Sequence, residues 1–120
     1  MNKFELENRL IKFAVLIIEV ANHMHHSKAG NHLSGQLVRS GTAPALNYGE
    51  AQSGESRRDF IHKIKIALKE LRESLVCLKI IREAELCTEK ASLHKALQEN
   101  DELIAIFVKS VTTAQRKLKK

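Results

Sequence analysis

The sequence predicts an all-α protein, an antiparallel up-and-down four-helix bundle, and three observations carry that prediction. Apolar residues recur at three- and four-residue spacing through four separate segments. One proline, five glycines and 4% aromatic residues in 120 are too few turn and strand formers for a sandwich or barrel. The breaks between segments are short, which makes successive helices antiparallel neighbours. A chain of this length buries enough surface for one core without disulfides or metals. Residues 1–120 are therefore expected to form one bundle domain, with helices near 3–25, 32–52, 57–83 and 88–119.

In the first segment Leu6, Leu10, Phe13, Ile17, Val20 and Met24 stack along one helix face. Ile11, Ala14, Ile18 and Ala21 form a second row beside them. Together they cover more than half the circumference, more than a helix with one covered side requires. Neighbours on two sides are expected, and the excess favours self-association. The polar stretch HMHHSKAGNH follows. In it Gly30 is expected to end the first helix in the left-handed conformation and Asn31 to cap the second.

The second segment has small residues at Gly35, Ser40, Gly41, Ala43 and Ala45, which permit close approach of a neighbouring helix. Pro44 lacks an N–H and crowds the preceding turn, so a kink or break is expected there. Ser53-Gly54-Glu55-Ser56 reads as a turn. The third segment then turns Phe60, Ile64, Ala67, Leu71, Leu75 and Leu78 inward. A last joint falls at Cys87-Thr88, with Thr88 as the expected cap of a fourth helix. That helix carries Leu93, Leu97, Ile104, Phe107, Val111, Ala114 and Leu118 on a narrow stripe.

Composition and motifs argue against catalysis. The Walker, GxGxxG, ExxH and HExxH patterns are absent, and Cys77 has no histidine at helical spacing to activate it. His23, His25, His26 and His32 cluster in sequence near the first joint, but without accompanying carboxylates they read as solvated loop residues rather than metal ligands. No catalytic residue, metal or cofactor is predicted. Cys77 and Cys87 match no disulfide or zinc spacing and fit buried thiols in a reducing, cytoplasmic setting. The acidic start and Glu19, which interrupts the apolar run, fit neither a leader nor a membrane span.

The formal charge of +6, with a pI near 9.5, favours acidic partners. On the third segment Arg58, His62, Lys65, Lys69, Arg72 and Lys79 fall within about 100° of arc. The like-charged neighbours Lys65/Lys69 and Lys69/Arg72 each cost a few tenths of a kcal/mol in an isolated helix. Helix stability alone does not select them, whereas a phosphate backbone would. A solvated face partly offset by Glu73 is the competing reading. The C-terminal Arg116, Lys117, Lys119 and Lys120 are explained by the helix macrodipole without a partner. Ile66, Cys77 and Ile80 lie on the other flank of this helix and are expected at a subunit contact.

Two stretches together carry a family likeness. The first is Gln36-Leu37-Val38-Arg39-Ser40-Gly41-Thr42 with Asn47-Tyr48 and Glu50-Ala51; the second is Asp59-Phe60-Ile61-His62-Lys63-Ile64-Lys65-Ile66-Ala67-Leu68-Lys69-Glu70 with Glu73 and Leu78. They resemble the four-helix bundle proteins encoded by intervening sequences in bacterial 23S ribosomal RNA genes, a family that includes accessory proteins of diversity-generating retroelements. The likeness is strongest from Gln36 to Ile81. It implies a homopentamer without catalytic activity; retroelement members present a basic surface to nucleic acid and bind a reverse transcriptase. Ala43-Pro44-Ala45-Leu46 departs from the family pattern, as does Cys77, where relatives often carry an aromatic.

Arg39, Asn47, Glu50 and Glu70 match recurrent polar positions of that family. They are expected to form a buried polar network between helices, with Arg39 bonded to Glu70 or Glu73. The resulting expectation is a non-enzymatic nucleic-acid-binding accessory protein, with RNA favoured over DNA, contacting phosphates through Arg58, Lys65, Lys69, Arg72 and Lys79. The alternative is a protein-interaction scaffold with no nucleic-acid role.

Overall fold

The computed structural model describes residues 1–54 and 56–119, and places them in four α-helices: α1 (Lys3–Asn22), α2 (Lys28–Gln52), α3 (Arg57–Glu83) and α4 (Lys90–Lys119). Each helix runs close beside its sequence neighbours and α4 closes back on α1, while across the diagonal α2 and α4 meet through side chains such as Tyr48 and Phe107. The bundle is elongated, 51 × 23 × 21 Å.

Local chemistry sets the helix starts. Asn2 accepts from the Glu5 N–H at 2.9 Å and its amide donates to Glu5 Oε1, so the two residues cap each other. Ser27 accepts from the Gly30 N–H and Ser56 from the Asp59 N–H, satisfying donors that a helix start leaves unpaired.

The helix ends correct four expectations. α1 stops at Asn22 rather than continuing to residue 25, and α2 begins at Lys28 because Ser27, not Asn31, is its cap. Gly30 lies inside α2 with an ordinary φ. Its role is steric, since a Cβ there would run into the His25 carbonyl. Thr88 does not cap α4 either. Its N–H and hydroxyl both donate to the His23 carbonyl, at 2.8 and 2.9 Å, while Glu89 Oε1 accepts from the Ala91 N–H. Thr88 thus ties the α3–α4 joint to the end of α1, and the His25 N–H donates to the Leu86 carbonyl across the same gap. The Ser53–Ser56 turn includes Glu55, which lies outside the described residues.

α2 continues through Pro44 as one helix, so the expected break does not occur. Pro44 is buried against the core side of α2, and burial there offsets the hydrogen bond its ring removes. On the same face Gly41 sits against Ile17 of α1.

The α1 row from Leu6 to Met24 is buried throughout, and Phe13, Ile17, Leu37, Ile64, Leu71, Leu78, Leu103 and Phe107 form the driest part of the core. Tyr48 packs edge-on to Phe107 with ring centres 5.9 Å apart, the T-shaped arrangement aromatic rings favour. The inward stripes of α3 and α4 are wider than expected. Ile61, Ser74, Cys77 and Ile81 join the core from α3, and Ala96, Asn100 and Leu103 from α4. Leu118 is exposed, and Phe60 and Leu75 are only half-buried. Cys77 and Cys87 are both free and buried.

The second apolar row of α1 divides. Ala14 and Ala21 are half-buried, but Ile11 and Ile18 are exposed, as are Phe4 and Val15 on the same outward side.

Candidate nucleic-acid interface

Charge is distributed unevenly over the four helices. α3 carries eight Lys and Arg against four acids, a net of +4. α4 follows with six against three, whereas α1 has three of each. The basic character of the chain therefore lies on the α3–α4 half of the bundle.

Core burial of Ile64, Ala67, Leu71 and Leu78 fixes the rotation of α3, and that rotation points Arg58, His62, Lys65, Lys69, Arg72 and Lys79 into solvent. At about 1.5 Å per residue the row spans about 30 Å. None of its lysines and arginines joins an ion pair among the described residues. Val76 and Ile80, 57% and 46% exposed, stand in the same outward sector near its C-terminal end, so the uninterrupted basic part runs from Arg58 to Arg72.

The acids nearest the row are engaged across the helix seam. Arg39 of α2 lies between two carboxylates of α3, its Nη1 2.9 Å from Glu70 and its Nη2 in contact with Glu73. Glu73 thus faces Arg39 on the α2 side rather than neutralising Lys69 or Arg72. Further along that seam Lys63 Nζ reaches Glu50 at 2.9 Å, and this carboxylate holds the ammonium above its ordinary range.

The polar positions do not form the buried network expected of them. The Arg39 side chain is 51% exposed, Glu50 pairs with Lys63 rather than Arg39, and Asn47 is half-buried with no side-chain hydrogen bond among the described residues. Arg39 with Glu70 and Glu73, and Lys63 with Glu50, are two separate charge clusters on one seam. The buried polar pair is instead Ser74 of α3 with Asn100 of α4. The Asn100 amide donates to the Leu71 carbonyl at 2.9 Å, and the Ser74 hydroxyl lies 3.1 Å from Asn100 Oδ1 and 2.9 Å from the same carbonyl. Asn100 sits seven residues from both Leu93 and Phe107, a two-turn repeat that places it on the core line. That register was the available signal.

The α1–α4 seam has its own charge cluster, which the sequence alone did not disclose. Arg9 makes a two-pronged contact with Glu99, at 2.7 and 2.8 Å, and reaches Glu102 at 3.1 Å. The hydrogen bond it donates to Glu99 leads the effects that hold its guanidinium above the already high arginine range. Glu19 accepts from the Ser92 hydroxyl on the same seam.

Of the residues expected at a subunit contact, Ile80 is exposed, Ile66 is half-buried and Cys77 is buried. The Cys77 thiol faces the Leu33 carbonyl at 3.7 Å, and burial pushes its pKa up. Cys77 therefore belongs to the core of its own chain and not to the outward flank on which the contact was expected. His23, His25 and His26 lie in the α1–α2 joint and His32 lies on α2 rather than in a loop; all four are exposed. No group of three or more His, Cys, Asp or Glu side chains is arranged to hold a metal ion among the described residues. Among the described residues no helix is long and apolar enough to cross a membrane.

Fold and surface together define a small, basic four-helix bundle protein. The chain belongs to the 23S rRNA-intervening sequence protein family, whose model matches residues 2–109. Among solved structures it is similar to a protein of unknown function from the S23 ribosomal protein family of Bacteroides thetaiotaomicron, with a TM-score of 0.83 and 27% identity over 93% of this chain and 99% of that one. No curated protein matches the chain.

Proposed function

We propose that this protein is a non-enzymatic RNA-binding accessory protein that acts as an oligomeric basic platform. The single observation that carries the reading is the exposed α3 row, in which Arg58, Lys65, Lys69 and Arg72 have no acidic partner among the described residues while Glu70 and Glu73 face Arg39 instead. Such a row suits phosphate neutralisation with counterion release, which gives affinity without sequence readout. The family name, which ties its members to intervening sequences of 23S rRNA, makes RNA the polyanion of choice.

Self-association is part of the same reading. The outward side of α1 carries Phe4, Ile11, Val15 and Ile18, with exposures of 42–70%, and Leu46 of α2 is 67% exposed. A patch of this composition favours burial against another subunit. A homopentamer, the assembly implied by the family resemblance, would repeat the α3 row around a ring and multiply weak phosphate contacts. Ile80 and Val76 offer a smaller apolar spot on α3.

The test is RNA binding as a function of salt, with oligomeric state measured alongside. Replacing Lys65, Lys69 and Arg72 together by glutamine should shallow the salt slope by about 3 and leave the fold intact. Binding indifferent to that triple change overturns the α3 assignment. A scaffold that holds only a protein partner would show no RNA affinity in the unaltered chain.

A further inference from the structure

At the end of the bundle where α3 begins lies a groove of about 560 Å³ whose lining includes Arg57, Phe60, Lys109, Ser110, Thr113 and Lys117. The volume lies in the range of small-ligand sites. Three cations, two hydroxyls and an aromatic ring share the lining with the apolar Met1, Ile106 and Ala114, and no acid among the described residues lines the groove. None of the three cations joins an ion pair among the described residues.

Local stability does not account for this set. Lys117 suits the last turns of α4, where a cation offsets the helix macrodipole, but Lys109 lies ten residues before the end of the helix, beyond the reach of that effect. Arg57 occupies the first turn of α3, where the macrodipole disfavours a cation. Phe60 packs against the core, remains half-buried and lines the groove. It shares the groove lining with the three cations and two hydroxyls.

We propose that this groove binds a nucleotide phosphate, with the base against Phe60 and the phosphate held by Arg57, Lys109 and Lys117. The assignment rests on the RNA-binding reading and deepens it, because it seats a terminal nucleotide of a strand whose backbone runs along α3. Ser110 and Thr113 supply hydroxyl donors for phosphate or ribose oxygens. Arg58, His62, Lys65, Gln115 and Leu118 line a second depression, which holds the first residues of the α3 row. A cation set of this kind recognises phosphate by charge-assisted hydrogen bonds, and aromatic stacking adds affinity for any base.

The experiment is a titration of the full chain with adenosine 5′-monophosphate, adenosine and inorganic phosphate, followed by backbone amide shifts. The expected result is saturable binding of the monophosphate with a dissociation constant on the order of 1 mM, with shifts at Arg57, Phe60, Lys109, Ser110 and Thr113. Adenosine and inorganic phosphate should each bind at least about tenfold more weakly, equivalent to about 1.4 kcal/mol. The Lys109→Gln, Lys117→Gln double variant should lose the response while its remaining amide spectrum is unchanged. Phe60→Leu should reduce the monophosphate to the level of inorganic phosphate.

Absence of saturable shifts in the groove, or binding indifferent to both variants, overturns the proposal. Equal binding of phosphate and monophosphate overturns its nucleotide assignment. The α3 row is untouched by these substitutions, so the Lys65, Lys69 and Arg72 experiment fails or succeeds separately.

Discussion

Ile17 of α1 lies so close over Gly41 of α2 that a Cβ on the glycine would stand 2.7 Å from both Cγ atoms of the isoleucine. Ile17 is fully buried, so it has nowhere to retreat. Gly41→Ala should therefore destabilise the fold, because overpacking costs about 1–3 kcal/mol and exceeds the helix-propensity gain of about 1 kcal/mol. Gly35 is the control: it lies on the same helix, and a Cβ there would meet nothing within 4 Å. Gly35→Ala should stabilise by up to about 1 kcal/mol. Denaturant midpoints of the two variants should move in opposite directions. Ile17→Ala should cost less in the Gly41→Ala background than alone, a coupling that a double-mutant cycle reads directly.

The Ser74–Asn100 pair makes a polar contact where α3 and α4 are otherwise apolar. Both side chains are fully buried, and no buried side-chain nitrogen or oxygen is left without a partner among the described residues. Asn100→Ala removes the donor to Leu71 and opens a cavity, so a loss of about 2–4 kcal/mol is expected in equilibrium unfolding. Ser74→Ala costs less, about 1 kcal/mol, because Leu71 keeps the asparagine amide as its donor. The double variant should lose less than the sum of the two, since each single change strands part of the same pair. Strict additivity would show that the two side chains do not cooperate.

The contrast between these two sites explains how much of the fold was legible. The α1 row from Leu6 to Met24 and the inward α3 residues Ile64, Ala67, Leu71 and Leu78 are buried as their spacing required, because apolar periodicity reports directly on the face that leaves water. The basic row was legible for the complementary reason: once the core face of α3 is fixed, the opposite face follows by geometry. Asn100 was missed because a polar residue breaks the apolar pattern even when its register is right. Arg9 and Glu99 lie 90 residues apart, so their pairing depends on how α1 and α4 are set beside each other. Their spacing in the chain carries no trace of it. The helix boundaries shifted where a side chain had two uses, as with Thr88, which bonds to the end of α1 instead of capping its own helix.

Glu85 adopts φ of 54°, the only left-handed non-glycine among the described residues. It follows the last residues of α3, and the Leu86 N–H donates to the Ile81 carbonyl while the Glu85 N–H donates to that of Arg82. This is the Schellman closure, at the position where glycine is favoured. A side chain there carries a conformational cost of about 1 kcal/mol. Glu85→Gly should accordingly raise stability, by an amount somewhat reduced through the greater freedom glycine gives the unfolded chain. The expected gain is a few tenths to about 1 kcal/mol, read as a higher denaturant midpoint with an unchanged slope. A loss of stability would mean that the carboxylate contributes more to this joint than its backbone costs.

Tyr48 provides an optical probe of the core, because it is the only tyrosine in the chain. It is buried against Phe107, and burial is the main cause that raises its phenol pKa above the ordinary value, with the Gln52 side chain offsetting part of the shift and Glu7 adding to it. The folded state therefore favours the protonated phenol. This contribution to stability is fully present below the unfolded pKa of about 10 and is lost as pH rises through the higher folded value. Tyrosinate absorbance should develop at higher pH in the native protein than in denaturant, as a single transition. The alkaline fall in stability should be smaller in Tyr48→Phe, which keeps the ring contact and removes the titrating group. Coincident titration curves in the native and unfolded protein would show that the phenol meets solvent, and would argue against the packing of α2 on α4 at Phe107.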